Sequence, residues 1–287
     1  MHLLVKFISL SLLLVSSSLW AASVWKVSKD GNHFYLAGTV HLLSKSDFPL
    51  PSAYDTAFNT SSQLLFETDL NALTSPAGLT KMMQQNTYSD GKTLEQVLSP
   101  EIYQQLKTYA TERNMPVAAI SRFKPGFAAM MLASVEMQRL GAAETGVDMH
   151  YMQLAQQQGK SIKGLETVDE HLAVLEGMNQ LDANLTIQST LQDMHKVEGQ
   201  LVEMKHAWRS GDSAKLEKLF IGDLQQIPQL YDILLVNRNH AWLPQLQALT
   251  NRKHTTMVLV GALHLAGADG LLTLLQQQGY SLQQLTE

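Results

Sequence analysis

Two glycine and histidine pairs stand at matching spacing where apolar runs end: Gly38 and His41 in FYLAGTVHLL, and Gly261 and His264 in MVLVGALHLA. Two further apolar runs close on Glu-Thr, with Glu67 and Thr68 in QLLFETDL and Glu166 and Thr167 in SIKGLET. Along the chain the order is GxxH, Glu-Thr, Glu-Thr, GxxH, which is symmetric and not tandem. In open sheets, crevices form where the chain leaves the strand ends. Two imidazoles and one or two carboxylates converging there suit a divalent cation and its activated water. The same groups suit a metal-free general acid and base equally well. Each glycine would allow a positive φ or a close approach to the neighbouring strand as the chain turns out of the sheet.

Other polar residues lie in apolar surroundings. Arg238, in YDILLVNRNHAWL, needs carboxylate partners or a bound anion if it is buried. A structural ion pair is the first expectation for it and substrate anchoring the second. Asp148 in TGVDMHYMQLA reads either as a first-turn acid complementing the helix dipole or as part of the site. His33, His150, His171, His195, His206, His240 and His254 do not share the strand-end context and read as solvated. No HExxH, no GxSxG elbow and no phosphate-cradling glycine loop occurs.

These residues require a sheet to bring them together. VWKVSKDGNHFYLAGTV reads as a hairpin turning at Asp30-Gly31, and strands follow at QLLFETDL, from Ser161, at TTMVLV and at YSLQQL. LSPEIYQQLKTYATERN carries helix-start signals in Ser99, Pro100 and Glu101. KPGFAAMMLASVEMQRLG reads as a helix apolar on nearly every side and therefore buried, with Met130, Met131 and Met137 as core filling. Residues 181–249 read as helical, with breaks near Gly211-Asp212 and Gly222-Asp223. No linker divides the chain. The expectation is one α+β domain: a mixed sheet from both ends of the sequence, a large helical insertion, and a pseudo-twofold arrangement of the strand-GxxH units.

Residues 1–22 read as an export signal: Lys6, a 14-residue apolar stretch FISLSLLLVSSSLW, and small residues near Ala21 and Ala22. That stretch falls short of the roughly 20 residues of a spanning helix. Residues 23–287 are then the single mature domain, exported to a periplasm or secreted, with no membrane anchor. Without Lys6 it carries 20 Lys plus Arg against 26 Asp plus Glu, a net −6 with neutral histidines. Such a balance gives no concentrated positive field for nucleic acid or an anionic membrane. The chain has no cysteine, which excludes disulfide staples, thiol nucleophiles, thiolate ligands and cysteine-linked lipid.

Taken together, the two GxxH motifs with LLFETDL, TGVDMHY, IKGLET, RNHAW and VLVGALHLAGADGLLTLLQQQGY resemble the TraB/PrgY/GumN family, whose animal members include the Tiki proteins. The likeness spans nearly the whole mature chain and is greater to the bacterial exported, GumN-like branch, because no C-terminal membrane segment is present. The resemblance implies metal-dependent peptide hydrolysis. His41, His264 and Glu67 would hold the metal, with Glu166 and Arg238 as further members of the catalytic set. It favours Mn or Co, and the ligand set also admits Zn. A peptide or protein would be the substrate. The family also looks like a wider group containing erythromycin esterases and ChaN-type haem-binding proteins. One departure stands out: GLETVDEHL places His171 near a position where the family often has Gln.

Three readings follow from these residues. The first is an exported metal-dependent hydrolase, with a strand-end carboxylate taking the proton from water and Arg238 steadying the developing oxyanion. In the second, the same pocket captures a peptide, haem or metal ion without turnover. The third is a metal-free esterase with His41 as base.

Overall fold

The computed structural model describes residues 21–286; the expected export signal lies outside them except for Ala21 and Ala22. Among the described residues eight strands form: β1 (Ala21–Lys29), β2 (Asn32–Thr39), β3 (Leu42–Leu43), β4 (Gln63–Thr68), β5 (Glu144–Thr145), β6 (Ser161–Glu166), β7 (Thr256–Gly261) and β8 (Ser281–Thr286). Six of them make one mixed sheet in the order β6-β4-β7-β2-β1-β8, and β3 pairs with β5. β6, β4, β7 and β2 run parallel, while β1 is antiparallel to both β2 and β8. The sheet thus joins both ends of the sequence, as an α+β reading requires. β1 starts at Ala21, and Ala22 is buried with its carbonyl accepting from Gln284 Nε2.

The hairpin turns where the sequence places it. Asp30 and Gly31 both adopt positive φ, 51° and 82°, the geometry that matches the twist of two-residue hairpins. Period-two alternation then sorts the side chains. Tyr35, Ala37, Leu64, Phe66, Met257 and Leu259 belong to one core, and Phe34, Leu36, Leu65, Val258 and Val260 to the other. Because both faces are covered, these central strands read as continuous apolar runs. The first face is closed by Tyr54 and Phe58 of the helix Ser52–Thr60, by Tyr151 of the helix Val147–Gln157, and by Trp208. The second is closed by Trp242 and Leu246 of the helix Asn237–Gln247 and by Leu271 and Leu275. A separate helical core joins Leu106 and Tyr109, Leu132, and Ile187 and Leu191.

Two local expectations are revised. The helix Pro125–Arg139 is not buried all round: Phe127, Ala128, Ala129 and Leu132 are buried, but Met130 is exposed. Its first turn, Pro125–Ala129, is buried throughout, and exposure is confined to Met130 and the last residues, Gln138 and Arg139. Its buried polar residue is Glu136, satisfied by Tyr109, Arg113 and Arg139. In the long helical segment, Gly211 does end the helix Ala183–Ser210, in left-handed conformation with φ 64°. Gly222-Asp223 does not break the chain. A π-turn, Glu217–Ile221, runs straight into Gly222–Leu224, and the interruption falls before Pro228. A second π-turn, Asp232–Val236, leads directly into the helix that carries Arg238.

Candidate metal and acid-base centre

The parallel strands β6, β4, β7 and β2 end along one edge, where their C-termini present Glu166, Glu67, Gly261 with His264, and Gly38 with His41. Thr68 stands in register with Glu166 and Thr39 with Gly261, so the two Glu-Thr ends are neighbours and the two GxxH ends are neighbours. The carboxyl edge of a parallel sheet is where crevices open. The order that is symmetric along the chain thus becomes a row of four strand ends carrying the candidate residues.

The two glycines act by allowing close approach, since neither has a positive φ. A Cβ on Gly38 would lie 2.9 Å from Leu265 Cδ1 and 3.2 Å from the Ala262 backbone, so the turn after β7 packs directly on β2. The Gly38 carbonyl is itself fixed by Tyr54 Oη at 2.5 Å and Trp208 Nε1 at 2.9 Å. A Cβ on Gly261 would lie 3.2 Å from Glu67 Oε1, the atom that accepts the Gly261 N–H at 2.7 Å. Gly261 therefore leaves room for the carboxylate and also binds it.

Glu67 and Glu166 are gripped by Arg238. Its Nη2 donates to Glu67 Oε2 and to Glu166 Oε1, each at 2.6 Å, and its Nε to Glu166 Oε2 at 3.2 Å. These side chains are about one-tenth exposed (Arg238 11%, Glu67 10%, Glu166 8%), so water screens the attraction weakly. The guanidinium lies over the Trp242 ring at 4.6 Å, and Trp242 also packs against His264 at 4.6 Å between centroids. The ion pair expected for a buried arginine is present.

His264 is buried and its partners set its tautomer. Nδ1 donates to Asn239 Oδ1 at 2.7 Å, leaving Nε2 to accept from Arg238 Nη1 at 3.1 Å, with Glu67 Oε1 at 3.7 Å. Asn239 is held in turn by donating to the carbonyls of His264 and Asp269. Burial pushes the His264 pKa down to about 4; Glu67 opposes this and Arg238 adds to it. The imidazole is therefore neutral at pH 7. Burial by itself would raise the Glu67 pKa, yet His264, Arg238, His41 and the Gly261 N–H together hold it below the ordinary carboxylate range. With His264 uncharged at neutral pH, Arg238, His41 and the Gly261 N–H are what sustain that charge.

His41 stands at the open side, its side chain 70% exposed against 9% for Asp148. Its Nδ1 donates to Asp148 Oδ2 at 2.9 Å, while Asp148 Oδ1 accepts from Thr39 Oγ1 at 2.7 Å. Asp148 raises the His41 pKa above its ordinary value, an effect that water around the exposed ring screens. Asp148 does occupy the first turn of its helix, but its carboxylate serves Thr39 and His41. The preceding Gly146 is required because a Cβ there would meet the carbonyl oxygens of Val40 and His41 at 2.3 and 2.4 Å.

His171 corrects the solvated reading. Its Nδ1 donates to Glu166 Oε1 at 2.6 Å, and its side chain is 26% exposed. Burial would raise the Glu166 pKa, but His171 and Arg238 lower it. One ligand atom each from Glu67, Glu166 and His171 lies within 4.8 Å of the others, a group able to hold a metal ion. His171 stands five residues beyond Glu166 on the helix Val168–Asn179, so a single helical turn folds it back onto the strand end. Asn239 was missed as well, although it adjoins Arg238 and shares its helix.

Over residues 23–284 the chain matches the TraB/PrgY/gumN family. It belongs to that family. It is 28% identical over 270 residues to Escherichia coli K12 YbaP, an uncharacterized protein, covering 90% of this chain and 97% of that one. The Shigella flexneri YbaP matches to the same extent. The Danio rerio protein named metalloprotease TIKI2 is 22% identical over 304 residues, covering 87% of this chain and 58% of its own length. No solved structure matches. Among the described residues no helix is long and apolar enough to cross a membrane.

Proposed function

We propose that this member of the TraB/PrgY/gumN family is an exported metal-dependent hydrolase acting on peptide or protein substrates. The observation that carries the proposal is the treatment of the two GxxH histidines. In each, Nδ1 is taken by a side-chain acceptor, Asp148 or Asn239, so Nε2 is the nitrogen each would turn to a cation, in His264 once Arg238 Nη1 releases it. By donor type, nitrogen from His41 and His264 with oxygen from Glu67 suits Mn, Co or Zn, while the group already compact in the structure is Glu67, Glu166 and His171. The name of the TIKI2 relative supports the same class of chemistry. Export rests on the character of residues 1–22.

A bound divalent ion would polarise the scissile carbonyl and lower the pKa of water. The protein's own groups do the rest. Asp148 and Asn239 fix the imidazole orientations, and Gly261 fixes Glu67 Oε1. Glu166 takes the proton from water, with His171 steadying its Oε1. In its present pairing Glu166 is a weak base, so proton transfer requires that Arg238 loosen its hold. A loosened guanidinium is then placed to steady a developing oxyanion.

Calorimetric titration of metal-stripped protein with Mn, Co and Zn, beside His41→Ala and His264→Ala, tests the site, and a peptide library tests turnover. Stoichiometric binding lost in both variants is the expected result. The exposed His41, paired with the buried Asp148, also supports a second reading, metal-free hydrolysis with His41 as an aspartate-oriented base. Activity surviving exhaustive chelation would select it.

A further inference from the structure

Arg238 reaches three buried donors at this edge, Glu67, Glu166 and His264. Nη2 is 2.6 Å from Glu67 Oε2 and 2.6 Å from Glu166 Oε1, and Nη1 is 3.1 Å from His264 Nε2. Glu67 is shared between the ligand set proposed above, with His41 and His264, and the compact group that the structure forms with Glu166 and His171. An imidazole nitrogen has one lone pair, and with Nδ1 protonated toward Asn239, that of Nε2 is already accepting from Arg238. A metal bond to His264 and the Arg238 hydrogen bond therefore exclude each other.

We propose that Arg238 is a built-in cation that holds the ligand set closed, and that a divalent ion binds only by displacing its guanidinium from His264 and Glu67. The inference rests on the metal reading above. Charge argues the same way: the single positive charge of Arg238 is set against the carboxylates of Glu67 and Glu166, and a divalent ion matches both. Keeping the guanidinium in place beside such an ion would leave like charges in a poorly hydrated site. The structure also supplies a route for withdrawal. Leu234 carbonyl oxygen, in the π-turn Asp232–Val236 that directly precedes the helix, lies 3.4 Å from Nη1 and can accept it. Single π-turns inside helices recur at functional sites. The arrangement keeps two buried carboxylates compensated when no metal is bound.

The test compares Zn and Mn affinity of the full protein with Arg238→Met and Arg238→Lys by calorimetry, with thermal unfolding in chelator and in excess metal. Arg238→Met should bind about tenfold tighter or better, within the usual range of coupling between competing ligands. It should also be less stable in chelator and regain stability with metal. Unchanged or weaker affinity would show that Arg238 supports the site without competing for it. Should Arg238→Met fail to fold, Zn titration of the parent decides by nitrogen-15 NMR, with the Arg238 side-chain signal assigned by its loss in Arg238→Lys. Movement of that signal together with the His264 ring signals supports displacement, and a static Arg238 signal overturns it. If neither parent nor variant takes up either ion, the metal reading falls and the displacement mechanism with it.

Discussion

Alanine at each motif glycine should produce opposite patterns of damage. At Gly38 the new Cβ would stand 2.9 Å from a Leu265 methyl and 3.2 Å from both the Cα and Cβ of Ala262. The leucine can rotate, but the Ala262 backbone belongs to the tight turn Ala262–Leu265 and must move with it. Overpacking of this kind costs about 1–3 kcal/mol. At Gly261 the backbone has φ −50° and ψ 136°, which alanine adopts without strain. The nearest atom to its Cβ is Glu67 Oε1 at 3.2 Å, followed by His264 Cδ2 at 3.6 Å. A shift of a few tenths of an ångström in one carboxylate relieves the contact, and the loss of chain entropy in the unfolded state offsets it by about 0.4–1 kcal/mol. Urea unfolding should therefore place Gly38→Ala about 1–3 kcal/mol below the parent and Gly261→Ala within about 1 kcal/mol of it. Metal titration should show the reverse order, with Gly261→Ala the more impaired because it moves a ligand. A destabilised Gly261→Ala that binds normally, beside an unaffected Gly38→Ala, would refute the assignment of packing to one glycine and carboxylate placement to the other.

Further expectations concern neighbouring groups. Asp148→Asn should weaken metal binding about 10–100-fold, the usual effect of removing the partner that orients a ligating histidine, and calorimetry measures it. In chelator, His264 should make stability pH-dependent. Its folded pKa of about 4 lies below the unfolded value of 6.5, so between them the unfolded chain binds more protons. Stability should fall by up to about 3 kcal/mol as pH drops from 6.5 toward 4, and His264→Gln should flatten that window in urea titrations. Glu136 acts in a lower range. Burial would raise its pKa, but Arg139, Arg113 and Tyr109 bring it to about 2. Its contribution should be complete above the unfolded value near 4.5 and vanish as pH falls through about 2, a slope that Glu136→Gln removes. At neutral pH that variant should be about 1–3 kcal/mol less stable, because it breaks charged hydrogen bonds to a buried group.

Much of this protein is written in local sequence. Alternating apolar residues, the Asp30-Gly31 turn, the Ser99 cap that accepts from the Ile102 N–H, and Gly159 and Gly211 beyond helix ends act through neighbours a few residues away. Such signals specify elements without reference to the rest of the fold. The same is true of strand ends: a polar residue that closes an apolar run must emerge at the sheet edge, so His41, Glu67, Glu166 and His264 were legible as candidates.

Partnership was not legible, because it depends on contacts between distant segments. Asp148 is 107 residues from His41, and Arg238 is 171 from Glu67 and 72 from Glu166. His171 looked like an ordinary helical histidine until a turn of helix returned it to Glu166. The exposed Met130 shows the converse, since an apolar helix face is buried only if some other element covers it. Sequence alone determined that the chain builds a mixed sheet with acids and histidines at its strand ends. The tertiary structure decided which of them touch, which histidine is neutral and which exposed, and that a guanidinium lies among them. The physical reason is that charge, tautomer and burial depend on what surrounds a side chain, and those surroundings come from everywhere along the chain.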